Sequence, residues 1–296
     1  MNLKDLNIVF AGCVQNCSKY LKKSLSNINQ YSQLFKDSYR IIIENGSKDN
    51  TKLILRENLK VTDYFIEKED LNNFRFRGER LERARNFIID KIKNEENLKN
   101  SDLLIIIDLD DIGAYEVKNE ELIKAIKFLY SKTEIAGVFA NQLGIYYDMW
   151  TLRHRNYCKE DIWAETFKIL MKSKNALEDL SKDNFQMAQN YLDKKRFYFN
   201  KDDLPIKVDS AFGGFGIYKI DYILKNKRRY EGSQQVEIIS KDDKRAIVNY
   251  QRCEHVNFNL GLLDLGCELY ILPYLINREY LDGSFPSKDA LNLIMS

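Results

Sequence analysis

Proline, histidine and tryptophan are scarce: the 296 residues include 3 Pro, 2 His and 2 Trp. So little proline leaves helices and strands uninterrupted and excludes a proline-rich, low-complexity chain. Two histidines do not make a His-rich metal site. The cysteines, Cys13, Cys17, Cys158, Cys253 and Cys267, form no paired CxxC, which argues against a zinc ribbon, and their odd number argues against a disulfide framework. A reducing compartment is expected. An excess of one charge is also lacking. Lys+Arg 46 against Asp+Glu 44 leaves a formal net charge of +2, so no basic surface points to a nucleic-acid partner. There is no apolar run of the length of a membrane span or signal peptide, and MNLKDLNIVFAG passes at once into a short strand-like run. A chain with no transmembrane segment and a cytoplasmic location is expected.

What is present is 44% hydrophobic and 30% charged residues, ample for a sizeable core. LNIVFAGCVQN reads as a buried strand from Asn7 to Ala11 running into a polar turn, and the next stretch has Tyr20, Leu25, Ile28 and Leu34 at helical spacing. SYRIIIENGSKDNT repeats the plan, with an apolar run from Ile41 to Ile43, a glycine turn, and Asp49 and Thr51 capping the helix KLILRENL. TDYFIEK and DLLIIIDLDD are further strands, followed by the helices RLERARNFIIDKI and ELIKAIKFLYSK. Strands alternating with helices predict an α/β fold, a mainly parallel sheet flanked by helices. Ligands in such sheets bind beyond the carboxyl ends of the strands, where AGCVQN, ENGSKDN and DLDD all fall.

Asp108, Asp110 and Asp111 follow the aliphatic run directly. Carboxylates this close repel one another, which calls for a cation. The D-x-D spacing of Asp108 and Asp110 at a strand end suits Mg²⁺ or Mn²⁺, which prefer hard oxygen ligands. A turn cap with solvated neighbours is the plainer reading of the same residues. IIIDLDD also resembles the haloacid dehalogenase signature, in which the first Asp is a nucleophile. That resemblance implies a Mg²⁺-dependent phosphatase, but Ile112 stands in the slot usually filled by Thr or Val, and two strand–helix units precede this strand.

ENGSKDNT resembles the D-N-G-S-x-D-x-T stretch of nucleotide-diphospho-sugar glycosyltransferases of the GT-A fold, with Glu44 in the leading acidic position and matches at Asn45, Gly46, Ser47, Asp49 and Thr51. AGCVQNCSKYL is similar to the first-strand turn of these enzymes. RGERLERARNFIID and YYDMWTLRH resemble segments of the fungal capsule-associated mannosyltransferase family. The resemblance covers most of the first 155 residues and two islands downstream. It implies a Rossmann-like GT-A sheet in one unit over 1–296, with a nucleotide-binding half over 1–132 and a fused acceptor-side half over 133–296. It further implies a UDP- or GDP-sugar donor, Mn²⁺ or Mg²⁺, and a glycan or protein hydroxyl as acceptor. Ala11, Cys13, Asn16, Glu44, Asn45 and Ser47 would meet the nucleotide, Asp108 and Asp110 the metal, and Leu109 the donor between them. Among the arginines of RFRGERLERAR, Arg80 and Arg85 are expected at the phosphates, with Arg75, Arg77 and Arg83 solvated. DSAFGGFGIY would lie beside the sugar and acceptor, with Asp209 as its polar residue. In CEHVNF, read as a strand, Glu254 is the expected base of an inverting reaction and His255 a third metal ligand. A retaining reaction would remove that role from Glu254. Asp148, Trp150 and Arg153 are expected at sugar or phosphate. A non-catalytic sugar-binding protein is the remaining alternative.

Overall fold

Leu103–Ile107 are five consecutive aliphatic residues, all buried. A strand with no solvent face needs cover on both sides, and this requirement organises the molecule. The structure is a computed structural model and describes residues 1–156, 158–170, 182–239 and 245–279. Strands β1 (Asn7–Val14), β2 (Asp37–Glu44), β3 (Tyr64–Glu67) and β4 (Leu103–Ile107) alternate with helices α1 (Ser18–Ser32), α2 (Thr51–Asn58), α3 (Arg77–Asn94), α4 (Glu96–Lys99) and α5 (Asn119–Leu129). There follow β5 (Ile135–Leu143), β6 (Ile145–Tyr146), α6 (Ile162–Leu170), α7 (Lys182–Lys194), β7 (Phe197–Tyr198), β8 (Ile206–Val208) and β9 (Phe215–Lys219). The last described elements are α8 (Ile220–Lys225), β10 (Ser233–Ile239), β11 (Arg245–Gln251), α9 (Glu254–Leu263) and β12 (Glu268–Glu279).

Eight strands form one sheet in the order β3-β2-β1-β4-β9-β5-β12-β8. The pairs β1/β2, β2/β3, β1/β4 and β5/β12 are parallel, while β9 runs antiparallel to both its neighbours and β8 antiparallel to β12. The sheet is therefore mainly parallel, as predicted. It takes strands from both sides of residue 132, with β9 inserted between β4 and β5.

Alternating side chains divide between two layers. Leu104 and Ile106 face the layer holding Ala84, Ile88 and Ile92 of α3 with Phe258 and Leu262 of α9. Leu103, Ile105 and Ile107 face Leu21, Leu25 and Ile28 of α1 with Leu122, Ala125 and Ile126 of α5. Each such side chain contributes about 1.5–3 kcal/mol on burial, so the strand is held by apolar contact on both faces. Among the described residues no helix is long and apolar enough to cross a membrane.

Two local expectations are corrected. β1 continues past Ala11 to Val14, because its pairing with β2 runs unbroken from Asn7↔Asp37 to Val14↔Glu44. CEHVNF is the start of helix α9, not a strand. This helix buries Glu254, His255, Val256, Phe258 and Asn259 alike, so its sequence lacks a one-sided apolar stripe.

The hairpin β10/β11 closes on the start of α3. The Gly78 N–H donates to Gln251 Oε1 at 3.1 Å, and the Gly232 N–H to Glu82 Oε2 at 2.8 Å. A Cβ on either glycine would overlap the other's carbonyl oxygen. Gly232→Ala is therefore expected to lower stability by about 1–3 kcal/mol through overpacking, read as a lower urea midpoint; an unchanged midpoint would show that the two backbones are not pressed together in solution.

Candidate active site

β1 and β2 end side by side, with Val14 opposite Glu44. Both chains then turn sharply: Asn16 has φ 55° and Gly46 φ 60°, a region open to glycine and tolerated by asparagine. The two turns are bonded to each other. The Asn16 N–H donates to Ser47 Oγ at 2.9 Å, and the Lys48 N–H returns a bond to Asn16 Oδ1 at 2.9 Å. The Cys17 N–H donates to Thr51 Oγ1 at 2.8 Å, and Asp49 accepts from the N–H groups of Ser18 and Thr51, both at 3.0 Å. Asp49 and Thr51 thus satisfy exposed amides at the starts of both α1 and α2. Burial is the largest single effect and raises the Asp49 carboxyl, but those bonds together outweigh it and hold the group down at about 2.

The carboxylates stand at the end of β4. The Asp108 N–H donates to the Gly214 carbonyl at 3.0 Å, which ties this loop to the turn entering β9. Asp108 Oδ1 accepts from Arg85 Nη2 at 3.1 Å, and Oδ2 accepts from Tyr147 Oη at 3.2 Å. Arg85, buried on α3, also pairs with Glu254. Asp110 is less well compensated. One of its oxygens accepts the Ile112 N–H at 3.0 Å, yet burial first, and the Asp108 charge second, raise its carboxyl to about 7. Asp111 is paired with Arg278.

These strand ends and the start of α3 border a cleft of 280 Å³. Cys13, Asn16 and Asn45 form one wall, Arg77 and Arg80 another, and Asp108, Leu109 and Asp110 the floor. Asn45 Oδ1 is buried at this wall without a hydrogen-bond partner. Burial pushes the Cys13 thiol up to about 11, so it enters as a neutral group.

The chemistry of the floor fits a divalent cation. Its donors are hard carboxylate oxygens, and the raised Asp110 carboxyl marks uncompensated negative charge. Among the described residues no three His, Cys, Asp or Glu side chains converge on one position. That composition suits Mg²⁺ or Mn²⁺, held by one or two carboxylates and completed by phosphate oxygens and water.

Of the residues expected at the site, Cys13, Asn16, Asn45, Arg80, Asp108, Leu109 and Asp110 border the cleft. Ala11 is buried beneath it, and Ser47 spends its hydroxyl on the Asn16 amide. Five expectations need correction. Glu44 is fully buried and accepts from the N–H groups of Gly46 and Ser47, so it builds the turn and does not face a nucleoside. Arg85 lies below the floor, held by two carboxylates, and is not open to phosphate. Glu254 is buried against that same guanidinium and is not presented to an acceptor hydroxyl. His255 stacks on Phe212 with ring centroids 3.9 Å apart and meets Tyr230 edge-on; its Nε2 lies 3.9 Å from Glu254 Oε1, and among the described residues no three metal-binding side chains converge there. Burial, then the Arg85 charge, keep it neutral. Asp209 is exposed, with its N–H on the Arg153 carbonyl, and lies near His154 outside the cleft.

The glycine pair supports the floor from behind. Gly213 and Gly214 have φ 64° and 75°, and a Cβ on Gly214 would meet Ile112 Cγ2 at 2.5 Å and Tyr147 Oη at 2.9 Å. Asp148 is consumed here, accepting the Gly213 N–H at 2.9 Å, while Arg153 pairs with Asp161 at 2.7 Å. Arg77 is exposed, as expected, and also borders the cleft, while Tyr147, which bonds Asp108, is marked out by no spacing.

Asp110 also sets a pH dependence. Its folded value is raised above the ordinary 3.8, so the folded chain binds that proton more tightly than the unfolded one, and stability falls as pH rises from 3.8 to about 7. Asp110→Asn is expected to raise the metal-free Tm by about 2–6 °C near pH 8, with the gain vanishing below about pH 4. A lower Tm for the variant at about pH 8 would contradict the charge imbalance.

No protein-family model matches the chain, and no curated protein matches it in sequence. Among solved structures it is similar to glucosyl-3-phosphoglycerate synthase from Mycobacterium tuberculosis in complex with UDP, at 11% identity and a TM-score of 0.43, over 98% of this chain and 79% of that one. It is also similar to that synthase with Mn²⁺ and UDP-Glc, at 11% identity and a TM-score of 0.41, over 98% and 76% of the two chains. A mannosyltransferase from Pyrobaculum calidifontis in complex with GDP-Man and Mn²⁺ is similar at 13% identity and a TM-score of 0.41, over 77% of this chain and 48% of its own. Likeness at this level carries no residue-by-residue correspondence.

Proposed function

We propose that the chain is a metal-dependent glycosyltransferase of GT-A architecture, moving a sugar from a UDP- or GDP-sugar to a hydroxyl of a glycan or protein. The observation that carries this reading is the meeting, in one cleft, of the polar wall after β1 and β2 with the Asp108 and Asp110 carboxylates after β4. A nucleoside diphosphate needs both at once: hydrogen bonds for its nucleoside and a cation for its phosphates.

The roles follow from what each side chain has left to offer. Asn45 accepts from the nucleoside through its unpartnered Oδ1, and Tyr20, which also borders the cleft, adds a ring face. Asp110, with Asp108 beside it, would hold Mn²⁺ or Mg²⁺, which when bound neutralises charge on the leaving diphosphate. Asp108 is fixed in orientation by Arg85 and Tyr147 before any ligand arrives, the preorganisation that electrostatic catalysis requires. With Glu254 committed to Arg85, the reading includes no base at that position.

A thermal-shift panel of UDP, GDP and CMP, each with and without Mn²⁺, tests this. UDP or GDP is expected to raise Tm by about 5 °C or more near saturation, only with Mn²⁺, and Asp110→Ala to abolish the effect. If neither diphosphate stabilises the protein in a metal-dependent way, the reading fails. Mg²⁺-dependent phosphate release without any UDP or GDP effect would instead identify a phosphatase. Sugar binding that survives Asp110→Ala, without donor hydrolysis, would identify a binding protein.

A further inference from the structure

Five arginines lie in the stretch from Arg75 to Arg85, and four have partners within the protein. Arg75 lies over the Phe76 ring at 5.7 Å and Arg83 over the Phe74 ring at 3.7 Å. Arg80 Nη1 donates to the carbonyls of Phe74 at 2.9 Å and Arg75 at 3.2 Å. Arg85 is shared between Asp108 and Glu254. Arg77 differs: it is exposed, it borders the cleft, and among the described residues it donates no side-chain hydrogen bond and forms no ion pair.

We propose that Arg77 binds the diphosphate of the donor, a role that rests on the glycosyltransferase reading above. Its position supports this. Arg77 shares the cleft with Cys13 at the end of β1 and Asp110 beyond β4. A diphosphate linking a nucleoside at Asn45 to a cation at Asp110 would occupy the same cleft that Arg77 borders. The backbone beneath is rigid. Arg77 opens α3, and the next residue, Gly78, is pressed against Gly232 with its N–H held by Gln251. The guanidinium is thus anchored at its root and uncommitted at its end.

Charge balance gives such a residue work to do. A nucleoside diphosphate carries about three negative charges near neutral pH, and one divalent cation shared with two carboxylates does not neutralise them. A guanidinium supplies a further positive charge and paired donors that match phosphate oxygens. In the ligand-free protein the exposed side chain remains hydrated, at little cost to the fold.

The test is calorimetric titration of wild type, Arg77→Gln, Arg77→Lys and the control Arg83→Gln with UDP and GDP in Mn²⁺, and with UMP and GMP. Arg77→Gln is expected to weaken diphosphate binding about 10- to 100-fold and monophosphate binding far less, with an unchanged ligand-free Tm. Arg77→Lys should recover part of the loss, and Arg83→Gln should behave as wild type. If wild type binds a diphosphate in a metal-dependent way and Arg77→Gln binds it equally well, the proposal is overturned while the glycosyltransferase reading stands. Equal weakening of mono- and diphosphate, or diphosphate loss in Arg83→Gln as large as in Arg77→Gln, would also overturn it. If wild type binds neither UDP nor GDP, both the reading and the proposal fall.

Discussion

The Arg85 guanidinium, buried between Asp108 and Glu254, is the interaction on which the site depends. It joins α3, the end of β4 and the start of α9 at one point. An ionised carboxylate beside a fully buried strand is costly without a partner, and removing one member of a buried pair costs about 3–5 kcal/mol. Tyr147 takes the second Asp108 oxygen, and the Gly214 carbonyl takes the Asp108 amide. Asp108 is therefore held from three directions before anything binds. Asp110, two residues on, accepts the Ile112 N–H, and burial first, then the Asp108 charge, raises its carboxyl.

This contrast divides the work of the two aspartates. Asp108 fixes the loop, and Asp110 retains the unmet demand for positive charge. The other side of the cleft follows the same economy. Bonds between the turns after β1 and β2 consume Ser47, Asp49 and Thr51, and the buried Glu44 is spent on its own turn, while Asn45 Oδ1 is buried without a hydrogen-bond partner. The later part of the chain supplies backing: Asp148 holds the Gly213 N–H, and Gly214 lies too close to Ile112 and Tyr147 for any side chain.

Much of this was readable from residues alone where the signal is local. The aliphatic runs ending in polar turns located β1, β2 and β4 and brought their carboxyl ends together. The D-x-D spacing and the ENGSKDNT turn selected Asn45, Asp108 and Asp110, all of which border the cleft. What was misread depends on contacts distant in sequence. Glu44 looks like a ligand-facing acid until its own turn is seen to close over it. Arg85 was expected at the phosphates beside Arg80, although it shares a helix face with Ile88 and Ile92, a spacing that marks the buried side. Glu254 and His255 were placed on a strand because α9 is apolar nearly all round and shows no periodic stripe. Arg77 was expected to be solvated and is exposed; that the other four arginines have partners within the protein is something no local pattern records.

The central claim is that the Asp108 and Asp110 carboxylates form half of a cation site that a nucleoside diphosphate completes. Titration of Mn²⁺ followed by electron paramagnetic resonance, with and without UDP or GDP, tests it most directly. The account predicts weak Mn²⁺ binding to the protein alone, tightened about tenfold or more by the diphosphate, with both lost in Asp110→Asn. Mn²⁺ binding that is unaffected by either nucleotide, or that survives Asp110→Asn, would contradict it.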